Sequence, residues 1–412
     1  MKEKDLIPHL FRQESAKITA VLCKQFGLNF LETAEDITSE TFQAALEIWP
    51  YKGIPGNPTA WLFAVAKHKA INASKRNRLF QTKISKDYIS SNVVAEGAEF
   101  PESSVAIQDS QLQMMFCICH PAINPASQIA LALRVLCGFG IEEIAHALLT
   151  EKETIQKRLT RAKEKLRQAE VNMEMPGEKE VPARLASVLK TIYLLFSEGY
   201  YSISNNKTLR KELCFEAMRL CYMLIENKYT NKPPVNALLS LMCFHASRLD
   251  ARLDKNGEYI LYDDQDTSLW DTDLISKGGY FLHCSASGNQ LSKYHLEAAI
   301  AYWNTQKDDT KEKWEAVLQL YNRLLQIEYS PVAALNRTYA LSKANGKEEA
   351  IREAEKLNLT NNHFYYTLLG ELYRGIDDRK AREHLQKALS LAKTQTDKLT
   401  IQKKIQSIGN KQ

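Results

Sequence analysis

Between Gly53 and Arg78 the chain reads GIPGNPTAWLFAVAKHKAINASKRNR, which gathers side chains suited to handling opened nucleic acid. From Val65 to Lys83 there are six Lys/Arg and no Asp or Glu. Cations neutralise backbone phosphates, and aromatic rings stack on unpaired bases. Asn57 followed by Pro58 predicts an N-cap and a first helical position. On the helix that follows, Trp61, Leu62, Val65, Ala66, Ala70 and Ala73 share one half of the wheel, and Lys67, His68, Lys75 and Arg78 share the other. Lys69 and Arg76 intrude on the apolar half. The same residues also describe an ordinary core helix with a solvated basic face. On this stretch alone that is the commoner arrangement.

A second basic segment has a clearer context. Ile141, Ile144, Ala145 and Leu148 predict a short helix after Gly138 and Gly140. Thr150-x-x-Glu153 reads as a capping box that starts the next helix near Glu151. There Ile155, Leu159, Ala162 and Leu166 fall on one arc, with Lys157, Arg158, Arg161 and Lys165 opposite. A short helix, a tight turn and a basic amphipathic helix make a helix-turn-helix. Its second helix suits the major groove, with Thr154 and Gln156 near the end that contacts bases. A helical hairpin with a solvated basic face is the competing description.

The elements that must position these segments read as helices over 5–26 and 33–49, the second stopped by Trp49-Pro50. In that second helix Ile37, Thr41, Ala44, Ala45 and Ile48 recur at helical spacing, leaving Asp36, Glu40 and Gln43 exposed. Charge comes in blocks. Residues 25–50 hold five acids and no Lys/Arg, 84–151 hold eight acids against Lys86 and Arg134, and 152–167 hold seven Lys/Arg against two Glu. A net charge of +5 does not mark a nucleic-acid binder, but alternating blocks suit contact with one basic and one acidic surface.

The whole chain of 412 residues has room for two to four cores, and its sparse Gly and Pro (16 and 12) favour an all-α fold. The start, MKEKDLIPHLFRQES, shows no apolar signal region, and no run is long enough to span a membrane. Eight scattered Cys read as reduced thiols of a cytoplasmic protein. Cys117-x-Cys119-His120 lacks the paired spacing of a zinc site, so no metal is expected. No nucleophile-base motif, Walker loop or HExxH occurs, so neither enzymatic activity nor a cofactor is expected.

Residues 81–110 look like a linker rich in Ser and acids. Beyond about Pro176 come three apolar helical patterns, over Val188–Phe196, Leu213–Leu224 and Leu238–Leu249. The acids of the stretch from Tyr262 to Asp271 lack EF-hand spacing and read as a structured loop. Near the C-terminus Leu335-x3-Tyr339 recurs 34 residues later at Leu369-x3-Tyr373, and Ala350-x3-Ala354 recurs 31 residues later at Ala381-x3-Leu385. Degenerate tetratricopeptide units, or a helical bundle with an accidental period, produce such a pattern.

Taken together the chain resembles an RNA polymerase sigma factor of the extracytoplasmic-function type. Ala34-Glu-Asp-Ile-Thr-Ser-Glu-Thr-Phe42, with Ala45 and Trp49, resembles the region 2 helix that docks on core polymerase. Asn57–Ile71 resembles the part that melts and reads the −10 element, and the helix-turn-helix corresponds to region 4, which reads the −35 element. FCICHPA at 116–122, YLLFSEGY at 193–200 and the Asp264-Gln-Asp-x3-Trp-Asp271 run resemble a subgroup whose core is fused to a tetratricopeptide-like extension that controls it. Where that family's region 2 helix carries more Arg and an Asp, this chain has Asn72-Ala73-Ser74.

The resemblance implies region 2 over 1–80, a linker over 81–110, region 4 over 111–172 and a helical regulatory extension over 173–412, with repeats about 293–392. It implies Asp36, Glu40 and Phe42 as polymerase contacts. For the −10 element it implies Lys52, Asn57, Lys67, His68, Lys75, Arg76 and Arg78, with the loop Lys52–Thr59 capturing an extruded base. For the −35 element the residues are Thr154, Gln156, Lys157, Arg158, Arg161 and Lys165. Partners are then core RNA polymerase and promoter DNA, with the extension touching the sigma core and no membrane involved. The alternative is a helix-turn-helix regulator with a tetratricopeptide sensor, acting without polymerase.

Overall fold

The computed structural model describes residues 3–84, 103–148, 150–201, 207–252, 260, 262–392 and 395–408. Among the described residues the secondary structure is helical and no strand occurs. The chain divides into two compact units, Met1–Thr230 and Asn231–Gln412.

The first unit holds α1 (Glu3–Phe26), α2 (Leu31–Lys52), α3 (Pro58–Ile84), α4 (Ser104–Ile118), α5 (Pro125–Leu131), α6 (Ile141–Ala147), α7 (Lys152–Gln168), α8 (Val181–Tyr201) and α9 (Lys207–Glu226). Local chemistry sets several of these starts. Ser103 accepts from the Ala106 N–H at 3.2 Å, and Asn124 accepts from the Ser127 N–H at 2.9 Å with Pro125 behind it. A π-helical turn, Ala132–Leu136, prolongs α5. α1 packs on α2, α3 and α4, and α8 packs on α4, α5 and α9. Ile18 and Leu22 of α1 and Met114, Met115, Phe116 and Ile118 of α4 are all completely or almost completely buried. Each such side chain contributes about 1.5–3 kcal/mol of hydrophobic stabilisation.

Two helix ends depart from the sequence expectation. Pro50 does not stop α2, which runs on to Lys52 and ends at Gly53, whose φ of 81° few side-chain-bearing residues adopt. Pro50 lies only two residues from that end, and the one i→i−4 donor it removes would have served the carbonyl of Leu46, an exposed residue. Thr150 is not the cap of α7. The N-cap is Glu151, with no side-chain cap bond, and the Thr150 N–H is turned back to the Ala145 carbonyl at 3.0 Å. The reciprocal contact is found one helix earlier, where the Gly140 N–H donates to Glu143 Oε2 at 2.7 Å.

Cys117 and Cys119 belong to this core. Burial pushes both thiols up to about 12, so neither is a thiolate at neutral pH. The Cys117 thiol donates to the Asn172 carbonyl at 3.1 Å. No group of three or more His, Cys, Asp or Glu among the described residues is placed to hold a metal ion.

The second unit holds α10 (Pro233–Ala246), α11 (Thr272–Ser285), α12 (Lys293–Trp303), α13 (Lys311–Ile327), α14 (Pro331–Ala344), α15 (Lys347–Leu357), α16 (His363–Tyr373), α17 (Asp378–Leu391) and α18 (Gln395–Ser407). Successive helices pack as neighbours, and α14 also touches α16. The recurring positions fall at the closest contacts: Ala350, Ala354, Ala381 and Leu385 are each fully buried. The acids before α11 serve as caps. Asp266 accepts from the Ser268 N–H and Asp271 from the Leu274 N–H, both at 2.9 Å. Beside them Arg248 lies 5.5 Å from the Tyr262 ring centre and 5.8 Å from that of Trp270, tying the loop to the end of α10.

Gly278 is where α11 meets α10. A Cβ there would lie 2.6 Å from the ring of Phe244, which is itself fully buried. Gly278→Ala is expected to destabilise this unit by about 1–3 kcal/mol through overpacking, read as a shift in the urea midpoint. An unchanged midpoint would show that the Phe244 ring gives way freely.

Candidate nucleic-acid interface

The acidic helix α2 is the frame of the site. Asp36 and Glu40 are exposed, as expected. Phe42 is not available as an external contact. It is 4% exposed and packs edge-on to Phe11 with ring centres 5.0 Å apart. It follows Thr41 onto the face that α1 covers, so its ring belongs to the α1–α2 core. Glu40 accepts from Lys69 of α3 at 2.8 Å, which accounts for a cation on the apolar half of the α3 wheel.

α2 and α3 form an antiparallel pair joined by the loop 53–57. Trp49 and Trp61 meet edge to face near the loop, with ring centres 5.4 Å apart, and Glu40–Lys69 closes the pair further along. Leu62, Ala66, Ala70 and Ala73 are buried, so the predicted apolar half of α3 does face the core. Asn57 is the helix cap: its Oδ1 accepts from the Ala60 N–H at 3.0 Å. Lys52, His68, Lys75 and Arg76 are exposed. Lys67 is half-buried and already holds a partner. The Arg78 side chain lies outside the described residues, as do residues 85–102 of the linker.

Apolar side chains that no motif marked complete this surface. Tyr51 is 90% exposed beside Lys52, with Leu46 and Ile54 also exposed. The signal was present: an aromatic residue between Pro50 and Lys52, off the buried stripe of α2.

In the helix-turn-helix, α7 buries Ile155, Leu159, Ala162 and Leu166, the arc expected for it. Gln156, Lys157, Arg161 and Lys165 are exposed, and Thr154 and Arg158 are half-buried. Two further bases of the same helix point elsewhere. Lys163 donates to Glu35 Oε2 at 2.6 Å, and Arg167 lies 3.8 Å from Glu32. Glu35 also accepts from Arg134 Nε at 2.8 Å, and its side chain is only 12% exposed. One α2 carboxylate thus answers two cations from the other half of the unit. Arg12 makes a second such junction, with Glu143 of α6 at 2.9 Å and Glu212 of α9 at 3.6 Å. These pairings join residues roughly 100 to 200 positions apart, so no local pattern announced them.

Residues 10–80 match the family Sigma-70 region 2, and residues 184–286 match a family of unknown function, DUF6596. An uncharacterized protein of Rhizobium meliloti (strain 1021) is 31% identical over 368 residues, covering 88% of this chain and 86% of that protein. The chain belongs to that protein's family, and its first helices are a sigma-70 region 2 domain. RNA polymerase sigma factor YlaC of Bacillus subtilis (strain 168) is similar at 27% identity over 183 residues, which span 44% of this chain and 99% of YlaC. No solved structure matches significantly. Sigma-70 region 2 is a non-enzymatic module. Its match takes in α2, the loop 53–57 and most of α3, so the acidic helix and the first basic surface lie inside the sigma domain. The DUF6596 match begins in α8 and ends just past α11. Among the described residues no helix is long and apolar enough to cross a membrane.

Proposed function

We propose that this protein is a sigma factor that binds core RNA polymerase and directs promoter-specific initiation, under the control of its own helical extension. The observation that carries this reading is one acidic helix bearing Asp36 and Glu40, flanked in the same unit by two separate basic helices. α2 supplies negative charge for a basic polymerase surface. α3 and its loop supply Lys52, His68, Lys75 and Arg76 for the strands of an opened −10 element, and Tyr51 offers a ring on which an extruded base stacks. Unstacking costs a few kcal/mol, and a single base–aromatic stack returns about 1–3 kcal/mol. α4–α7 then act as region 4, with Gln156, Arg158 and Arg161 facing the −35 duplex and Lys157 and Lys165 on its phosphates. In the second unit, the buried Ala350, Ala354, Ala381 and Leu385 support reading α12–α17 as tetratricopeptide-like pairs that serve the regulatory role.

Purified protein added to core polymerase is expected to start transcription at its promoter. Asp36→Arg is expected to weaken association with core polymerase by about tenfold or more, through like-charge contact, without altering folding. A protein that shifts duplex DNA alone and never joins core polymerase would instead be a helix-turn-helix regulator of another class.

A further inference from the structure

We propose that the second unit contains a binding site for a small oxyanion, a phosphate or a carboxylate, built around Arg248, Tyr262, Trp270 and Lys307. The site lies wholly within that unit and uses no residue of the sigma reading, so it stands or falls apart from it.

Arg248 follows α10 and is only 6% exposed. Among the described residues its side chain has neither a hydrogen bond nor an ion pair, and its Nε is buried without a partner. It rests instead against the rings of Tyr262 and Trp270. A ring face attracts a cation but accepts none of its in-plane N–H bonds, and a buried charge is costly unless it is paired and hydrogen-bonded. Two neighbours are left in the same condition. The Trp270 indole N–H is buried and donates to nothing, and Gln265 Oε1 is buried and accepts nothing, in residues that are each 8% exposed. Buried polar atoms that the protein itself does not satisfy mark places for an ion or an ordered small molecule.

Further positive charge converges on the same two rings, whose centres are 6.3 Å apart. Lys307 Nζ stands 5.1 Å from the Tyr262 ring centre and 5.8 Å from that of Trp270. Lys313, 2% exposed, has its Nζ 5.4 Å from the Tyr262 ring centre and donates to Tyr262 Oη at 3.3 Å. His245, three residues before Arg248, registers this field. It is pushed well below the usual histidine range, first by desolvation and then by the Arg248 and Arg252 charges. The acids of the neighbourhood are turned outward or engaged. Asp264 is exposed, and so are Asp266 and Asp271 at their caps. Asp309 accepts from Lys343 at 2.9 Å and from the Trp314 indole.

The spacing suits one small anion. Arg248 Cζ and Lys307 Nζ are both 5.8 Å from the Trp270 ring centre. An oxyanion with hydrogen bonds of about 2.9 Å on either side bridges roughly 8 Å. Lys307 is exposed, so one edge of the cluster meets solvent. Guanidinium and ammonium donors make short, strong bonds to such oxygens, and the indole N–H adds a neutral donor. Gln265 Oε1 calls for a donor in return, which favours an anion that carries its own O–H, such as hydrogen phosphate or a hydroxy acid.

Calorimetric titration of the full chain with sodium phosphate, and separately with sodium malate, tests this at fixed ionic strength against sodium chloride. Saturable one-to-one binding is expected with at least one of them. Phosphate alone identifies a phosphate ligand, malate alone a carboxylate, and both a site that reads the oxyanion itself. Lys307→Gln, at the exposed edge, is expected to weaken binding at least fivefold. Trp270→Phe keeps a ring and removes the N–H, and is expected to weaken it about fivefold. Arg248→Gln is expected to abolish it. Should Arg248→Gln fail to fold, the other two variants carry the test, with helical content by circular dichroism as the check on each. Absence of saturable binding of either anion overturns the proposal. So does binding that Lys307→Gln and Trp270→Phe leave unchanged, because the anion then sits elsewhere.

Discussion

A chain ending at Met175 is expected to lose its cooperative fold, whereas one ending at Thr230 is expected to keep it. The chain 1–175 takes in the region 2 match and the proposed region 4, yet its helices are completed by α8 and α9. Arg184 donates to the Phe116 carbonyl at 2.6 Å, and Ser187 donates to the Cys119 carbonyl at 2.8 Å. Thr191 donates to Gln128 at 2.9 Å, and Arg219 reaches the Leu136 carbonyl at 2.8 Å. Leu185, Val188, Leu189, Ile192 and Leu195 are all buried on α8. Removing α8 and α9 exposes what they cover at about 1.5–3 kcal/mol per large side chain, against a total stability of only ~5–15 kcal/mol. Thermal melting by circular dichroism separates the outcomes. A broad, non-cooperative loss of signal for 1–175 and a sharp transition for 1–230 are expected. A sharp transition for the shorter chain would mean that α8 and α9 are an attachment rather than part of the fold. The consequence for regulation is that the extension does not begin where the first unit ends. Its first two helices belong to the body they are proposed to control.

The second large effect is expected from Arg158→Ala combined with Arg161→Ala. Arg161 is exposed and Arg158 half-buried on the outer face of α7, and neither has an ion-pair partner among the contacts of the described residues. Loss of a base or phosphate contact costs about 1–3 kcal/mol, so the pair is expected to weaken promoter binding by about 30-fold or more, with the melting temperature unchanged. Transcription in vitro and a thermal melt on the same sample decide it. Unchanged transcription would remove α7 from the DNA surface. A fall in melting temperature would show that these arginines, like Lys163, hold the fold.

Much of the local structure was legible in the sequence. The apolar arc of α7 and the apolar half of α3 were read from helical spacing alone, because a 3.6-residue period leaves one face for the core whatever that core is. Asn57 was placed as a cap on different grounds, a side-chain acceptor followed by Pro, and its Oδ1 does accept from the Ala60 N–H. The thiols of Cys117 and Cys119 lacked ligand spacing and proved to be core.

What spacing left open was the partner of each face. Lys157 and Lys163 look alike on a helical wheel, but one is exposed and the other donates to Glu35, 128 residues away. Phe42 sits among acids in the proposed docking helix, yet the packing of α1 decides that its ring turns inward. Thr150 and Glu153 had capping-box spacing, but the turn after α6 uses the Thr150 N–H for its own closure. The sequence by itself determined helices, their apolar faces and the presence of two basic surfaces, since these depend on neighbours within a turn or two. Which charges are displayed, which are spent on one another, and that α8 and α9 close the first unit were decided only by tertiary structure. Those outcomes depend on contacts between residues about 65 to 130 positions apart, which no local period encodes.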